Sequence, residues 1–486
     1  MTRRTVFRLL VAFSLVWAGW AAWTLIGRSQ PYEMRVLDDL GSPIPSAVVD
    51  VDGRQVGTTG SDGSVELVWN RSTKVLEVSA AGHVPQTVTL EDEPESHFDV
   101  VLKAQVLRGR VVDDDGDGIE GAVVQAGSAG AISDDEGYFQ IRGAEEGTVT
   151  VERPAWLPTE FRWEGGTGES MVTLEPFTAR AVHIGGSAIR DNLSAYVDMA
   201  METELNALML DLKDETGQVF YDTENPVAIE TGAAAGLIDL SATVSEAHDL
   251  GLYVIGRIVL FNDPIAAAAK PGMAVWDTAT NTPYEANGQF FLDPTDPDAR
   301  QYGIDLAVEA CSSGIDEIQF DYVRFPDARR DSAQFDGGVS PEVRTSTITT
   351  FLTDAAAVLR PMGCALAADI FGYLTTATDD GGIGQRWEEI AGVVDVVSPM
   401  LYPSHYHPEF FGFPSSDNPG EVVGRALSDG MERLDQQVVV RPWLQDFGYG
   451  PDKVRDQISV VESYGLGWML WNAKSQVTLD ALRATE

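Results

Sequence analysis

Paired acids on neighbouring strand-like runs are the first feature of this chain that can do chemistry. Residues 316–326 read DEIQFDYVRFP, so in an extended strand Gln319 and Asp321 share one face and Phe320 takes the other. Asp369 sits near the end of the next apolar run, ALAADIF. Two such acids can divide proton donation from nucleophilic or base work. Lys213, Arg257 and Arg324 stand at similar positions and can hold a carboxylate ionised through opposite charge. Other strand ends repeat the theme: Asp211 beside Lys213, Tyr402 followed by His405, the RPWLQD run with Arg441, Trp443, Gln445 and Asp446, and Trp471-Asn472. One charged strand end is an ordinary rim salt bridge. So many at matching ends point to a polar binding cavity. Glu317, deeper on the Asp321 face, reads instead as a paired structural charge.

The elements that must position these residues begin at Phe177. Strand-like runs at 179–186, 207–213, 253–261, 315–325, 365–371, 393–402, 437–445 and 467–471 alternate with helical patterns. Four share one entry device, a helix followed by Gly251, Gly314, Gly363 or Gly465 and then the strand. A left-handed glycine there ends the helix and turns the chain. The helix at 239–250 shows the apolar stripe Leu240, Val244, Ala247 and Leu250. Eight such units in 177–486 predict a (β/α)8 TIM barrel with its chemistry at the C-terminal strand ends. The alternative, an open doubly wound sheet, would carry a glycine-rich phosphate loop, and no G-x-G-x-x-G or P-loop occurs.

Charge narrows the partners. The 75 acidic side chains against 33 basic ones give a net charge of −42 over 486 residues. That argues against nucleic acid, which needs a basic footprint. Only two histidines, His405 and His407, cluster near the strand ends, too few ligands for a metal, and no cofactor motif is present. At the N-terminus Arg3, Arg4 and Arg8 precede 9–26, a run without a charge. As a helix it is roughly 27 Å long, close to the thickness of a hydrocarbon core. Residues 1–30 therefore read as a signal anchor in a bacterial membrane, with the body periplasmic or extracellular. A cleaved signal peptide is the competing reading, without an A-x-A site to support it.

Between anchor and barrel the chain repeats itself. VLDDLGSPIPSAVVDV and TTGSDGSVEL are echoed by VVDDDGDGIEGAVVQA and AISDDEGYFQI. Short alternating runs between Gly/Asp/Pro turns predict two small all-β sandwiches of antiparallel strands, 31–104 and 105–176. Both copies resemble the carboxypeptidase-regulatory-like family, whose modules act as spacers or adhesive domains. Asp113, Asp115, Asp117 and Gly118 match half of an EF-hand loop, but its closing glutamate is Val124. An acidic hairpin turn is the expectation.

The barrel itself carries a resemblance. MLDLKDETGQVFYD, GLYVIGRIVLFNDP, GIDEIQFDYVRFP, AADIFGY, SPMLYPSHY, RPWLQDF and GWMLWNA resemble the bacterial glycosyl-hydrolase-like domain formerly classed as a domain of unknown function. That domain is similar to α-amylase-type barrels. The resemblance implies cleavage of glycosidic bonds in an oligo- or polysaccharide by two carboxyl groups. It implies Asp321 as nucleophile and Asp369 as acid/base, where amylase-like barrels have glutamate. Asp211 and Asp446 are substitutes for the acid. With that reaction, the polar and aromatic residues at the strand ends read as a carbohydrate-binding set of Asp211, Lys213, Arg257, Gln319, Tyr322, Arg324, Tyr402, His405, Arg441, Trp443, Gln445, Asp446, Trp471 and Asn472. Trp443, Trp471, Tyr322, Tyr402 and Phe410 offer flat faces for sugar rings, or else fill barrel core. The rival function is a non-catalytic carbohydrate-binding or cell-envelope scaffold protein. An aldolase would need a buried Schiff-base lysine, for which Lys213 alone is suitably placed.

Two cysteines complete the reading. Cys311 ends the helix before the fourth barrel strand and Cys364 begins the fifth, so both fall at the barrel's bottom face. An oxidising compartment would join them, and two buried thiols are the alternative.

Overall fold

The computed structural model describes residues 30–484 except 70–73, 91–96, 167, 287, 328, 409 and 435–436. The anchor expected at 9–26 lies outside the described residues. Among the described residues no helix is long and apolar enough to cross a membrane. The chain divides into two compact units, Met1–Glu152 with Pro158–Glu175, and Arg153–Leu157 with Pro176–Glu486.

The first unit is all β. Its first half pairs a sheet built around Gln30–Asp38 with another built around Val48–Val51 and Lys74–Ser79. Met34, Val36, Val49, Val78 and Leu102 point inward between them. The second half repeats the plan with Val106–Val112 in one sheet and Val123–Ala126 and Gly147–Glu152 in the other. The repeat extends to single hydrogen bonds. Thr59 Oγ1 donates to the Ile44 carbonyl and accepts from the Ala47 amide, and Ser133 Oγ does the same with Ile119 and Ala122. Gly63 and Gly137 are equivalent too. Both have positive φ, and a Cβ on either would strike a carbonyl oxygen, of Val36 or Val111.

One expectation fails here. The sandwiches are not wholly antiparallel, because the first and last strands of each repeat run parallel: Glu33 pairs with His97, and Arg108 with Glu169. Terminal strands joined through the whole repeat are free of the hairpin constraint that forces neighbours antiparallel. The acidic Asp113–Gly118 segment is a turn in which Asp113 Oδ1 accepts the amides of Asp115 and Asp117.

The second unit is the barrel. Its strands are β1 Arg180–Ile184, β2 Ala207–Lys213, β3 Tyr253–Val259, β4 Glu317–Asp321, β5 Ala365–Phe371, β6 Val396–Leu401, β7 Val439–Val440 with Trp443–Gln445, and β8 Trp468–Trp471. Each pairs in parallel with the next, and β8 closes on β1 through Arg180 and Trp468. With helices outside and side chains within, the strands read as buried runs; every residue of β2 is buried. The sequence expectation places all eight. β7 breaks at Arg441-Pro442, where proline offers no ladder donor.

Helices Pro297–Ser312, Pro341–Leu359, Pro419–Met431 and Pro451–Ser463 each start on a proline, which a first helical turn accepts at no hydrogen-bond cost. The glycines that deliver chain into β3, β4, β5 and β8 all have φ between 73° and 98°. In the helix Leu240–Asp249 the stripe is shorter than expected: Leu250 caps the helix and is 40% exposed. Cys311 and Cys364 form a disulfide with Cα atoms 6.0 Å apart, tying the entries of β4 and β5.

Candidate active site

One arginine organises the C-terminal end of the barrel. Arg257 on β3 is fully buried, and its guanidinium is shared among acids from three places. Nη1 donates to Asp211 Oδ1 of β2 at 2.8 Å, and Nη2 to Glu215 Oε1 beyond β2 at 2.6 Å. Nε and Nη2 donate to Asp321 Oδ2 at the tip of β4, at 3.1 and 2.5 Å. Asp369 Oδ2 of β5 is 3.9 Å from Nε. The Trp471 ring lies against the cation, 4.8 Å from its carbon to the ring centroid. Burial alone would discourage the charge, but the surrounding carboxylates hold the Arg257 proton far more tightly than usual.

The acids around it divide. Asp211 is buried, which opposes ionisation, but His183 Nε2 at 2.8 Å and Arg257 hold its carboxyl below the ordinary range. His183 Nδ1 in turn donates to the Asn472 carbonyl. Asp321 Oδ1 accepts the Tyr322 amide at 2.6 Å, and Tyr322 itself bends left-handed with φ 50°. A non-glycine residue pays roughly 1–2 kcal/mol for that conformation. The bend follows Asp321 directly, where β4 ends and the cleft opens. Asp369 behaves otherwise. Its burial, and next the Asp321 charge, push its carboxyl well above the usual carboxylate range. Oδ1 accepts the Trp443 indole N–H at 2.8 Å, and Oδ2 accepts no hydrogen bond among the described residues.

Above this cluster opens a cleft of about 670 Å³. Asp321 and Glu215 reach its wall, with Tyr322, Tyr402, His405, Trp443, Trp471 and Arg324 from the expected set, and Phe410 at its margin. Arg324 is stacked between the Tyr322 and Phe371 rings, 4.8 Å from each centroid, and donates to the Phe325 carbonyl. Burial lowers the proton affinity of His405.

Other expected residues do not reach this cleft. Asp369 is hydrogen-bonded to the Trp443 indole and only 1% exposed. Asp211 lines a neighbouring cleft instead. Lys213 turns aside at an irregularity in the β2 ladder and is sealed against Asp263 and the Val259 carbonyl. Gln319 and Arg441 belong to the packed barrel interior, bonded to Ser398 and Glu317. Gln445 accepts the Ser404 amide and donates to the Phe447 carbonyl, bracing the loop after β6. Asp446 accepts the Thr478 amide, and Asn472 donates to the Asp446 carbonyl, so both fasten the chain after β8. Strand alternation predicts which face a side chain takes, but not the layer in which it ends.

Sequence reasoning passed over Glu215, His183, Phe371, Tyr373 and Tyr406. Glu215 carried a signal, as the third acid within five residues in DLKDE at the end of β2. Among the described residues no group of three or more His, Cys, Asp or Glu side chains is arranged to hold a metal ion.

A closed parallel barrel whose cleft and acids gather at the C-terminal strand ends has the layout shared by barrel enzymes. More particularly, the chain belongs to the family described as "Putative glycosyl hydrolase domain", which matches residues 181–477. Similar solved structures include a hypothetical protein from Ruminiclostridium thermocellum, 35% identical over 39% of this chain and 96% of that one, TM-score 0.35. The glycoside hydrolase domain of PelA from Pseudomonas aeruginosa is 13% identical over 63% and 97%, TM-score 0.38. The Bacillus cereus spore cortex-lytic enzyme SleL is 12% identical over 66% and 76%, TM-score 0.38. No curated protein matches the chain.

Proposed function

We propose that the barrel hydrolyses O-glycosidic bonds of an oligo- or polysaccharide, with Asp321 as the carboxylate that attacks the anomeric carbon or activates water. The observation that carries this reading is Asp321 itself, held by two guanidinium hydrogen bonds at the base of an aromatic-walled cleft. Glycosidases work through an oxocarbenium-like transition state, for which a fixed anion beneath the ring is the natural stabiliser. The walls suit the substrate, since Trp443, Trp471 and Tyr402 present apolar rings and His405 a polar edge. Family membership supports the reaction class. The Cys311–Cys364 bond supports export to an oxidising compartment. The carboxypeptidase-regulatory-like identity of the two β repeats belongs to the same proposal.

The test is a polysaccharide panel of amylose, xylan, mixed-linkage β-glucan and chitosan, assayed with the full chain and with Asp321→Asn. Turnover by the parent and none by the variant, at equal thermal stability, is the expected result. Binding without turnover by the parent would favour a carbohydrate-binding scaffold instead.

A further inference from the structure

A glycosidase needs a second carboxyl group that can reach the leaving oxygen, and Asp369 has no opening onto the cleft wall. Glu215 does. It stands just beyond β2 with its side chain 35% exposed, and it lines two clefts at once. One is the aromatic cleft that holds Asp321. The other, about 430 Å³, is polar, with Ser187, Thr216 and Gln218 on its wall. Among the described residues only Glu215 and Trp471 line both. A sugar chain lying across the two clefts therefore passes Glu215 where it passes Asp321.

The spacing adds a second argument. Arg257 Nη2 lies 2.6 Å from Glu215 Oε1 and 2.5 Å from Asp321 Oδ2, so those two oxygens are at most 5.1 Å apart. Retaining glycosidases hold their carboxyl groups about 5–5.5 Å apart, and inverting ones about 6.5–9.5 Å. Charge supplies a third. Arg257 offers one positive charge to four carboxyl groups. Asp321 takes two of its hydrogen bonds plus a backbone amide, and Asp211 adds His183. Glu215 takes a single hydrogen bond, from Arg257, and is the most exposed of the four carboxyl groups, so it is the one free to turn toward a leaving oxygen in the cleft.

Resting on the hydrolase reading above, we infer that Glu215 is the acid/base partner of Asp321 and that the reaction retains anomeric configuration. In the first step an Asp321 oxygen bonds to the anomeric carbon, the glycosidic C–O bond breaks, and the departing oxygen takes the Glu215 proton. In the second, Glu215 takes a proton from water as the water oxygen bonds to the anomeric carbon and releases Asp321. Asp369 then acts through its neighbours, as a positioning residue.

The experiment compares the parent with Glu215→Ala on the polysaccharide the parent cleaves, and on the 2,4-dinitrophenyl glycoside of the sugar it releases. Loss of at least about a hundredfold is expected on the polysaccharide and far less on the activated glycoside. Added azide should restore turnover of Glu215→Ala, giving a glycosyl azide of retained configuration, and parent products should retain configuration by NMR. Should Glu215→Ala fail to fold, Glu215→Gln gives the same leaving-group split. Inverted parent products overturn the inference. So does an azide-insensitive Glu215→Ala, or the same leaving-group and azide pattern appearing in Asp369→Asn instead. A parent that cleaves nothing overturns the hydrolase reading itself, which its own activity reports independently of Glu215.

Discussion

Arg441 and Arg257 are both fully buried inside the same barrel, yet they meet opposite surroundings. Arg441, at the break in β7, faces one acid among the described residues. Glu317 accepts two hydrogen bonds from its Nη1, at 2.7 and 2.9 Å, and both residues are closed off from solvent. Two residues further along the β3–β4 ladder, Arg257 faces four carboxyl groups beneath an open cleft. Burial raises the Glu317 carboxyl and the Arg441 charge opposes it, and with both residues closed off from solvent the pair serves as a strut. Four acids share Arg257, and burial with the Asp321 charge pushes the Asp369 carboxyl above the usual carboxylate range, so this cluster favours holding a proton close to an opening. Buried charge alone does not mark a site. The imbalance of charge next to an opening does.

That contrast can be broken by experiment, and the largest effect is expected at the upper cluster. Asp321→Asn should lower turnover by at least about a thousandfold, the scale seen when a central catalytic group is lost. Its melting temperature should stay near that of the parent; a variant that keeps its rate removes Asp321 from the chemistry. Glu317→Gln should do the reverse. Leaving Arg441 buried without its anion should cost about 3–5 kcal/mol of stability in denaturant titration, with little change in specific activity of the folded fraction. A Glu317→Gln protein that is stable but slow would erase the distinction between strut and site.

The disulfide belongs to the strut end. Cys311 and Cys364 are 53 residues apart in sequence, so replacing both with serine should cost about 2–4 kcal/mol and spare kcat. The smallest effect sharpens the upper cluster. Burial and the Asp321 charge raise the Asp369 carboxyl in the folded protein, so the folded state binds that proton more tightly than the unfolded chain. Stability from this group is present below the ordinary carboxylate range and falls as pH rises towards the folded value. Asp369→Asn removes the titration. It should be more stable than the parent near pH 8, on the order of 1 kcal/mol, and its stability should vary less between pH 4 and 8. A parent whose stability climbs over that interval through Asp369 would show the carboxyl ionised and the proton elsewhere.

How much of this could be read beforehand depends on the range of the interaction involved. Period-two alternation and the helix-glycine-strand device are local, so all eight barrel strands, the bottom-face cysteines and the inward face of Asp321 were legible from neighbouring residues. The Glu317 ion pair was legible in kind, because a charge four residues inside Asp321 on the same face has to be neutralised. The depth of each side chain was not. Gln319, Arg441, Gln445 and Lys213 looked like site residues because they sit near strand ends. Stagger around the barrel, the irregularity after Asp211 and the break at Pro442 decide which layer each one occupies.

By itself the sequence determined the alternation of strands and helices, the repeat of the two β modules, and the presence of acids and arginines at the mouth of a barrel. These follow from periodicity, turn chemistry and composition, each settled within a few residues. Only the tertiary structure decided that Arg257 joins Asp211, Glu215, Asp321 and Asp369 into one cluster, that Asp369 is buried with its carboxyl on the Trp443 indole, and that Glu215 lines two clefts. Those outcomes depend on strands far apart in sequence, 46 residues from Asp211 to Arg257 and 74 from Asp369 to Trp443, closing on one another, and on the energy of charges whose neighbours are set by that closure rather than by the chain on either side.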